Sequence, residues 1–166
     1  QFALISPGAG WPSKLWPAQR YGQVARHLIC KHQLASVVVW AGDQERELAK
    51  TIATESAGSA IVAPATSITE LAALTRNGRL FVGSDTGPMH LAVAVGTPAI
   101  SLHGPSRAEW CGAYGPHNTR LQVRLDEGRS RHRQNTDDSA MREISVEMVS
   151  EACDQLLTAN TVRRCG

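Results

Sequence analysis

Long hydrophobic runs are absent from this sequence, and this absence argues against a membrane-spanning helix. No apolar run approaches the roughly eighteen residues that such a helix needs. Residues 1–5 also lack the basic and apolar regions of a secretory signal peptide. We therefore expect a cytoplasmic setting.

A strong charge and abundant aromatic residues are missing as well. The formal net charge is +2 and aromatic residues make up 5% of the chain, so the pattern typical of nucleic-acid binding is absent. The four cysteines have no C-x-x-C spacing, which argues against a zinc site or a redox pair. The remaining composition, 42% hydrophobic and 19% charged, is that of an ordinary globular protein.

Short apolar runs rich in β-branched residues alternate along the chain with stretches of helical periodicity. This alternation is typical of a parallel sheet covered by helices on both faces. The predicted strands cover residues 2–6, 36–40, 60–63, 80–83, 98–102 and 120–123. The predicted helices cover residues 18–33, 43–57, 67–76, 86–95 and 145–158. Ser67 and Glu70 form a capping-box pattern at the start of the third helix.

Six strands with intervening helices predict an α/β fold, a doubly wound Rossmann-like parallel sheet. The length of 166 residues fits one domain over 1–166. Residues 124–140 are polar and poor in apolar side chains, so we expect an exposed excursion there, followed by a terminal helix within 141–160. Ligands of such sheets bind at the carboxyl ends of the strands.

The segment Asp85-Thr86-Gly87-Pro88-Met89-His90 follows a buried strand directly and opens a helix. A helix N-terminus presents free backbone amides and binds phosphate well. Gly87 allows close approach of an anion, and Thr86 and His90, four residues apart, share a helix face. Alternatively, Asp85 or Thr86 merely caps the helix and His90 is a partly buried structural histidine.

Two further strand ends carry candidate ligand-binding residues. Lys14 lies in the loop after the first strand, where it could meet a phosphate as a point charge, unless it is a solvated loop lysine. Gly8-x-Gly10 in this loop lacks the third glycine of a dinucleotide fingerprint, which disfavours a dehydrogenase. After the second strand, Glu45 could accept from ribose hydroxyls or be a first-turn acid of the helix, and we interpret Asp43 as its N-cap.

Metal ligands are not indicated by the histidines. His103 and His117 stand fourteen apart with no suitable carboxylate spacing, so we expect no protein-bound metal. The 97–106 segment ends in a Gly-Pro turn and could form a wall of the ligand crevice. The arginines at 124, 129, 131, 133, 163 and 164 fit a solvated charged surface, with contact to an anionic membrane as the alternative.

Taken together and in this order, these elements resemble the ADP-heptose:lipopolysaccharide heptosyltransferases of glycosyltransferase family 9. The resemblance rests on Lys14 before Trp16-Pro17, the 40–45 turn, the 81–92 segment and the 103–106 turn, and it spans residues 3–123. The Asp-Thr-Gly-x-x-His element is its most specific part. The family has a two-domain GT-B architecture, and this chain resembles the C-terminal, donor-binding domain only.

The resemblance implies a role for each candidate residue. Lys14 would contact phosphate, Glu45 the ribose, and Thr66 would lie beside the base. Asp85 would face the donor-sugar hydroxyls. The residues implied to surround the diphosphate are Thr86, Gly87 and His90. Thr66 is small, whereas an apolar residue that contacts the base can occur at this place. The preferred base therefore remains open, and the donor is either ADP-heptose or another nucleotide sugar such as a UDP-sugar.

The resemblance also implies the reaction and the partners. An inverting transfer of heptose from ADP-heptose to the lipopolysaccharide inner core would use a carboxylate base from an N-terminal acceptor domain, so we assign no catalytic base to this chain. No cofactor or metal is required if Lys14 and the helix end neutralise the leaving group. Peripheral contact with the inner face of the inner membrane is compatible with this role. The alternative function, which is not enzymatic, is that of a non-catalytic nucleotide-binding module.

Overall fold

A computed structural model describes residues 1–125 and 137–164, the last five of these by their backbone only. The strands are β1 (Phe2–Ser6), β2 (Ala35–Val38), β3 (Ala60–Val62), β4 (Leu80–Ser84), β5 (Ala99–Leu102) and β6 (Thr119–Leu121). The longer helices are α1 (Ala18–His32), α2 (Gly42–Glu55), α3 (Ile68–Asn77), α4 (Gly87–Ala94) and α7 (Val146–Arg164). Short helices are a 3-10 turn (Pro12–Lys14), α5 (Ala108–Cys111) and α6 (Ser139–Arg142).

All six strands form one parallel sheet in the order β3-β2-β1-β4-β5-β6. This is the strand order of the doubly wound Rossmann fold, and it confirms the predicted fold class. The order reverses between β1 and β4, where Ser6 stands opposite Gly83. The carboxyl ends of β1 and β4 therefore border the crevice in which such sheets bind ligands.

The core lies on both faces of the sheet, as the unbroken apolar strands predict. One face packs against α1 and α7 through residues such as Ile5, Leu28 and Cys153. The other packs against α3 and α4 through Phe81 and Met89, among others. Among the described helices, none has the length and apolar character needed to cross a bilayer.

The C-terminal part of the chain differs from the sequence prediction. Most of the predicted excursion, 126–136, lies outside the described residues. Of its described end, Asp137 is exposed as predicted, but Ala140 lies in α6 and is buried. The terminal helix begins at Val146, one residue after the predicted start at residue 145, but it continues to Arg164, beyond the predicted end.

Contacts with the start of the chain explain this difference. The Trp16 indole donates a hydrogen bond to the Ile144 carbonyl at 2.9 Å, and Arg20 donates to the carbonyls of Arg142 and Ile144 at 2.6 and 2.7 Å. Met141 is completely buried and packs closely on Gly104. A β-carbon added to Gly104 would lie 2.9 Å from Met141 Cγ. The Trp16 and Arg20 contacts join residues more than a hundred positions apart, and Gly104 and Met141 are also distant in the sequence, so no local pattern predicts these contacts.

The capping box at α3 is confirmed. The Ser67 hydroxyl accepts from the Glu70 amide at 3.3 Å, and the Glu70 carboxylate accepts from the Ser67 amide at 2.8 Å. We predict that Ser67→Ala lowers the free energy of unfolding by about 1 kcal/mol, because an orphan helix amide loses its partner. Urea unfolding of the 166-residue chain measures this change.

Thr54→Ala is the matched control for the capping prediction, because Thr54 is an exposed threonine inside α2. Alanine is the better helix former, so the control should not lose stability. Equal stability of Ser67→Ala and the wild-type chain would contradict the capping role.

Candidate functional site

The start of α4 lies at the switch point of the sheet. β4 ends at Ser84, and α4 begins at Gly87 with Thr86 at the N-cap position and Pro88 in the first turn. Pro88 suits this place because a first-turn residue needs no intrahelical N–H bond. The local geometry agrees with the strand-to-helix turn that the sequence predicts.

No side chain caps α4. Thr86 makes no capping hydrogen bond, and its hydroxyl instead donates to the Ser84 carbonyl at a long 3.4 Å. A β-carbon placed on Gly87 would meet nothing within 4 Å, so the space in front of the helix start is open. The interpretation that Asp85 or Thr86 only caps the helix through its side chain is therefore wrong.

The number of free amides at this helix start is small. Met89 and His90 both donate their backbone N–H to the Thr86 carbonyl, at 3.1 and 3.2 Å, and Pro88 has none to offer. Within α4, this leaves Gly87 with the first-turn amide that can face a ligand. An anion at this end of the helix consequently needs side-chain partners as well.

Lys14 supplies positive charge close to the helix start. Its ammonium donates to Asp85 Oδ2 at 2.7 Å, with the two side chains only 12% and 10% exposed. The Ser84 hydroxyl donates to the Lys14 carbonyl at 2.9 Å, and the ammonium lies 4.3 Å from the centre of the Trp11 ring. Lys14 is thus fixed against the end of β4, and it is not a solvated loop lysine.

Two histidines complete the electrostatic surroundings of Asp85. His90 Nε2 lies 3.4 Å from Asp85 Oδ1, and its side chain is 57% exposed, so His90 is not the buried structural histidine of the alternative interpretation. His103 is fully buried, with Nε2 2.9 Å from the Ser101 hydroxyl and Nδ1 3.3 Å from the Ser106 hydroxyl.

The two buried groups respond oppositely to their environment. Burial raises the pKa of Asp85, but the hydrogen bond and the charge of Lys14 lower it by more than burial raises it. The pKa of Asp85 is therefore below the ordinary carboxyl value. Burial lowers the pKa of His103 to about 4, although Asp85 acts to raise it. Asp85 is therefore charged and His103 neutral at pH 7, and Lys14 neutralises the Asp85 carboxylate.

A cleft of about 300 Å³ opens beside this cluster. Its walls come from the ends of β1 and β2, the start of α2, the residues before α3 and the start of α4. They are Ser6, Val39, Trp40, Ala41, Glu45, Thr66, Ser67, Ile68, Leu71, Gly87 and Pro88. A mostly apolar cleft of this size with a few polar groups is the usual form of a small-molecule site.

Glu45 lies in the cleft wall with one oxygen already engaged. Its Oε2 accepts from the Ala41 amide at 2.8 Å, and the first loop approaches the carboxylate so closely that a β-carbon on Gly8 would lie 2.0 Å from Oε1. Asp43 is exposed in the first turn of α2, and the N-cap is Ala41. The prediction of Asp43 as the helix cap is therefore wrong.

The predicted site residues thus form two adjoining groups. Glu45, Thr66 and Gly87 line the cleft. Lys14, Asp85 and His90 form the charged cluster at the start of α4, with Thr86 between the two groups in the chain. The cleft also uses Trp40 of the 40–45 turn, whose indole donates to the Ala63 carbonyl at 2.7 Å. Sequence reasoning did not single out the apolar wall residues Val39, Ile68 and Leu71.

The 103–106 turn contributes less than the sequence suggests. Its residues are buried beneath the surface, and Gly104 packs on Met141. His103 is neutral at pH 7 and is held by the hydroxyls of Ser101 and Ser106, so it adds no charge to the site.

The fold and the cleft define a Rossmann-like α/β protein with a candidate ligand site at the switch point of its sheet. The model of glycosyltransferase family 9 (heptosyltransferase) matches residues 1–141, and the chain belongs to this family.

Individual relatives agree with this assignment. Lipopolysaccharide heptosyltransferase 1 of Pseudomonas aeruginosa is 33% identical over 124 residues, which cover 75% of this chain and 33% of the relative. Lipooligosaccharide heptosyltransferase 2 of Haemophilus influenzae is 28% identical over 160 residues, 91% of this chain and 46% of the relative. The chain thus spans between a third and a half of the length of these relatives.

Solved structures share the fold. The Escherichia coli ADP-heptose lps heptosyltransferase II superimposes with a TM-score of 0.81 at 22% identity, over 96% of this chain and 47% of that one. The structure of E. coli heptosyltransferase WaaC with ADP superimposes with a TM-score of 0.78 at 20% identity, over 93% of this chain and 44% of that one. The sheet therefore matches one half of the two-domain GT-B structures.

The neutral His103 generates a prediction about acid stability. The unfolded chain takes up a proton at a pKa near 6.5, whereas folded His103 does so only near 4, so its contribution to stability decreases as the pH falls through this window. Between about pH 7 and pH 5 the loss should reach about 2 kcal/mol. The decrease in unfolding free energy between the two pH values should therefore be about 2 kcal/mol smaller for His103→Gln than for the wild-type chain. Urea unfolding at both pH values measures this difference.

Comparing the pH dependence of the unfolding free energy between the two proteins cancels the contributions of the other titrating groups, because both proteins retain those groups. An equal decrease in unfolding free energy for the wild-type chain and His103→Gln would show that His103 titrates normally in the folded state.

Proposed function

We propose that this chain is the C-terminal, donor-binding domain of an inverting glycosyltransferase that transfers heptose from ADP-heptose to the lipopolysaccharide inner core. Membership of glycosyltransferase family 9 and the names of the matched heptosyltransferases support this proposal. One observation carries it: Lys14 lies against Asp85 at the start of α4, next to an open cleft.

The diphosphate of the donor would lie between Lys14, the Gly87 amide and His90. The Lys14 ammonium has three N–H donors, of which Asp85 takes one at 2.7 Å, so the same ammonium can also donate to a phosphate oxygen. Asp85 would keep Lys14 in place and would present Oδ1 to hydroxyls of the donor sugar. Thr86 would add its hydroxyl beside the phosphates, since its present bond to Ser84 is long.

The nucleoside would occupy the cleft beside the diphosphate. Glu45 Oε2 is bound to the Ala41 amide, which leaves Oε1 to accept from a ribose hydroxyl. The base would lie against Thr66 and the apolar wall that includes Ile68 and Leu71. Ile68 is 70% exposed without a ligand, so a flat base placed here would cover apolar surface.

The contribution of this domain to the reaction would be to stabilise the leaving group. In an inverting transfer, an acceptor hydroxyl attacks the anomeric carbon while the nucleoside diphosphate departs with growing negative charge. Lys14 and the start of α4 are preorganised to meet that charge, so the transfer needs no metal on this account. The general base would belong to an N-terminal acceptor domain, and this chain alone would bind the donor without efficient transfer.

The setting follows from the substrates. ADP-heptose is a soluble donor and the lipopolysaccharide core is membrane-anchored, so we place the enzyme in the cytoplasm, at the inner face of the inner membrane. Arg124 is engaged with Glu143 and Ser139, both at 2.6 Å, and so favours a structural role over membrane contact. The other arginines proposed for such contact lie among residues whose side chains are not described.

Calorimetry with ADP, UDP and NAD tests the donor class. We predict that the 166-residue chain binds ADP at least tenfold more tightly than UDP, since the cleft gives a purine more apolar surface to cover. Tighter binding of UDP would indicate another sugar nucleotide as donor. Binding of NAD alone would overturn the glycosyltransferase proposal.

Substitution of Lys14 tests the diphosphate site. Lys14→Ala should weaken ADP binding by about tenfold to a hundredfold, because a hydrogen bond to a charged group is lost, and should leave adenosine binding nearly unchanged. Lys50→Ala removes an exposed lysine from α2 and should bind ADP like the wild-type chain. Isothermal titration calorimetry measures ADP binding by all three proteins and adenosine binding by the wild-type chain and Lys14→Ala.

A double variant separates a direct contact from an indirect one. Lys14→Ala leaves Asp85 unpaired, and its carboxylate would repel a diphosphate, whereas Lys14→Ala with Asp85→Asn removes both charges. Weak ADP binding in both variants supports a direct contact between Lys14 and phosphate. Recovery of wild-type affinity in the double variant would contradict it.

A further inference from the structure

Three potential metal ligands meet where α1 ends and α7 passes over it. They are His27 and His32 of α1 and Asp154 of α7, and their ligand atoms all lie within 4.8 Å of one another. Sequence reasoning considered only His103 and His117, because His27 and Asp154 are 127 residues apart.

The two imidazoles point at a single carboxylate oxygen. His27 Nε2 lies 2.8 Å and His32 Nε2 2.6 Å from Asp154 Oδ1, and the ring centres are 6.2 Å apart. All three side chains are between 19% and 27% exposed, so the group is partly shielded but can still be reached from solvent. Two nitrogens and one oxygen supply three of the four ligands of a tetrahedral ion, or half of the six ligands of an octahedral one.

The second oxygen of Asp154 has its own partner. Lys31 donates to Oδ2 at 2.7 Å and is 57% exposed. Metal-ligating carboxylates are commonly oriented by such a hydrogen bond from a neighbouring group. The Lys31 contact fixes the carboxylate so that Oδ1 faces both rings.

We infer that His27, His32 and Asp154 form a binding site for a divalent transition-metal ion of the zinc class. The nitrogens and Oδ1 need to separate by only about half an ångström from their present spacing to surround an ion at the usual bond lengths of about 2.0–2.2 Å. Partly exposed side chains can make this movement by small rotations. Imidazole nitrogen with one carboxylate suits zinc, cobalt or nickel and disfavours calcium or magnesium, which prefer oxygen.

An open hollow next to the three residues leaves room for further ligands. It is lined by His27, Asp154 and one side of α7, including Glu147, Ser150 and Glu151. Water or the Glu151 carboxylate could complete the coordination from this side. The open position distinguishes the site from a closed structural zinc site with four protein ligands.

The position of the site predicts what a bound metal would do. α1 runs from the first loop back to the amino ends of the strands, and His32 also lines a hollow with Gln1, Leu34 and Arg79, which precede or begin strands. The site therefore lies at the opposite edge of the sheet from the start of α4. A metal there would tie α7 to α1 and stabilise the fold without touching the proposed donor cleft.

Titration of the 166-residue chain with Zn²⁺ and Co²⁺ tests the inference. We expect one equivalent of Zn²⁺ to bind by calorimetry and to raise the melting temperature, and Co²⁺ to give the visible absorption of a nitrogen- and oxygen-ligated ion. His32→Ala and Asp154→Asn should each weaken Zn²⁺ binding by about tenfold to a hundredfold or more. ADP binding should be the same in these variants as in the wild-type chain, which separates this site from the proposed function.

Matched controls keep the test decisive. His117→Ala removes a histidine from another part of the chain, and Cys30→Ser removes an exposed thiol from α1 itself, so both should bind Zn²⁺ like the wild-type chain. His27→Gln guards against misfolding, since glutamine can still hydrogen-bond to Asp154. Unchanged Zn²⁺ affinity in the ligand variants, or its loss in Cys30→Ser, would overturn the assignment.

Discussion

The ion pair between Lys14 and Asp85 determines the geometry of the candidate donor site. It joins the loop after β1 to the turn after β4 with a 2.7 Å contact between two groups that are about nine-tenths shielded from water. Removing two charges from water costs about as much as their attraction returns, so such a pair contributes little to overall stability. Its effect is to fix the position of a cation that would otherwise move on a long, flexible side chain.

Other features of the site depend on that fixed cation. The start of α4 has little anion-binding capacity by itself, because Met89 and His90 already donate to Thr86 and Pro88 has no N–H. The helix dipole and one glycine amide become an effective site only beside a nearby positive charge. The order of strands brings the two together, since β1 and β4 are neighbours although 70 residues separate Lys14 from Ser84.

The sequence predicted the sheet, and the structure confirms its class, because each strand is a short apolar run whose signal is local. It also predicted that Lys14 and Asp85 lie near each other, since both follow strands of one parallel sheet. Contacts between distant elements could not be read in this way. The burial of Met141 against Gly104 and the meeting of His27 with Asp154 depend on how α6 and α7 pack, and no spacing in the chain encodes that packing.

The C-terminal segment also helps to hold the Lys14 loop of the candidate donor site in place. Trp16 lies two residues after Lys14, is buried against Tyr21 with ring centres 4.7 Å apart, and donates its indole N–H to Ile144. The loop that bears Lys14 is therefore attached at both ends, to β4 through Ser84 and to the start of α7 through Trp16. Since a point charge is effective only where it is held, the residues around Ile144 would contribute to the proposed phosphate site although they do not line the cleft.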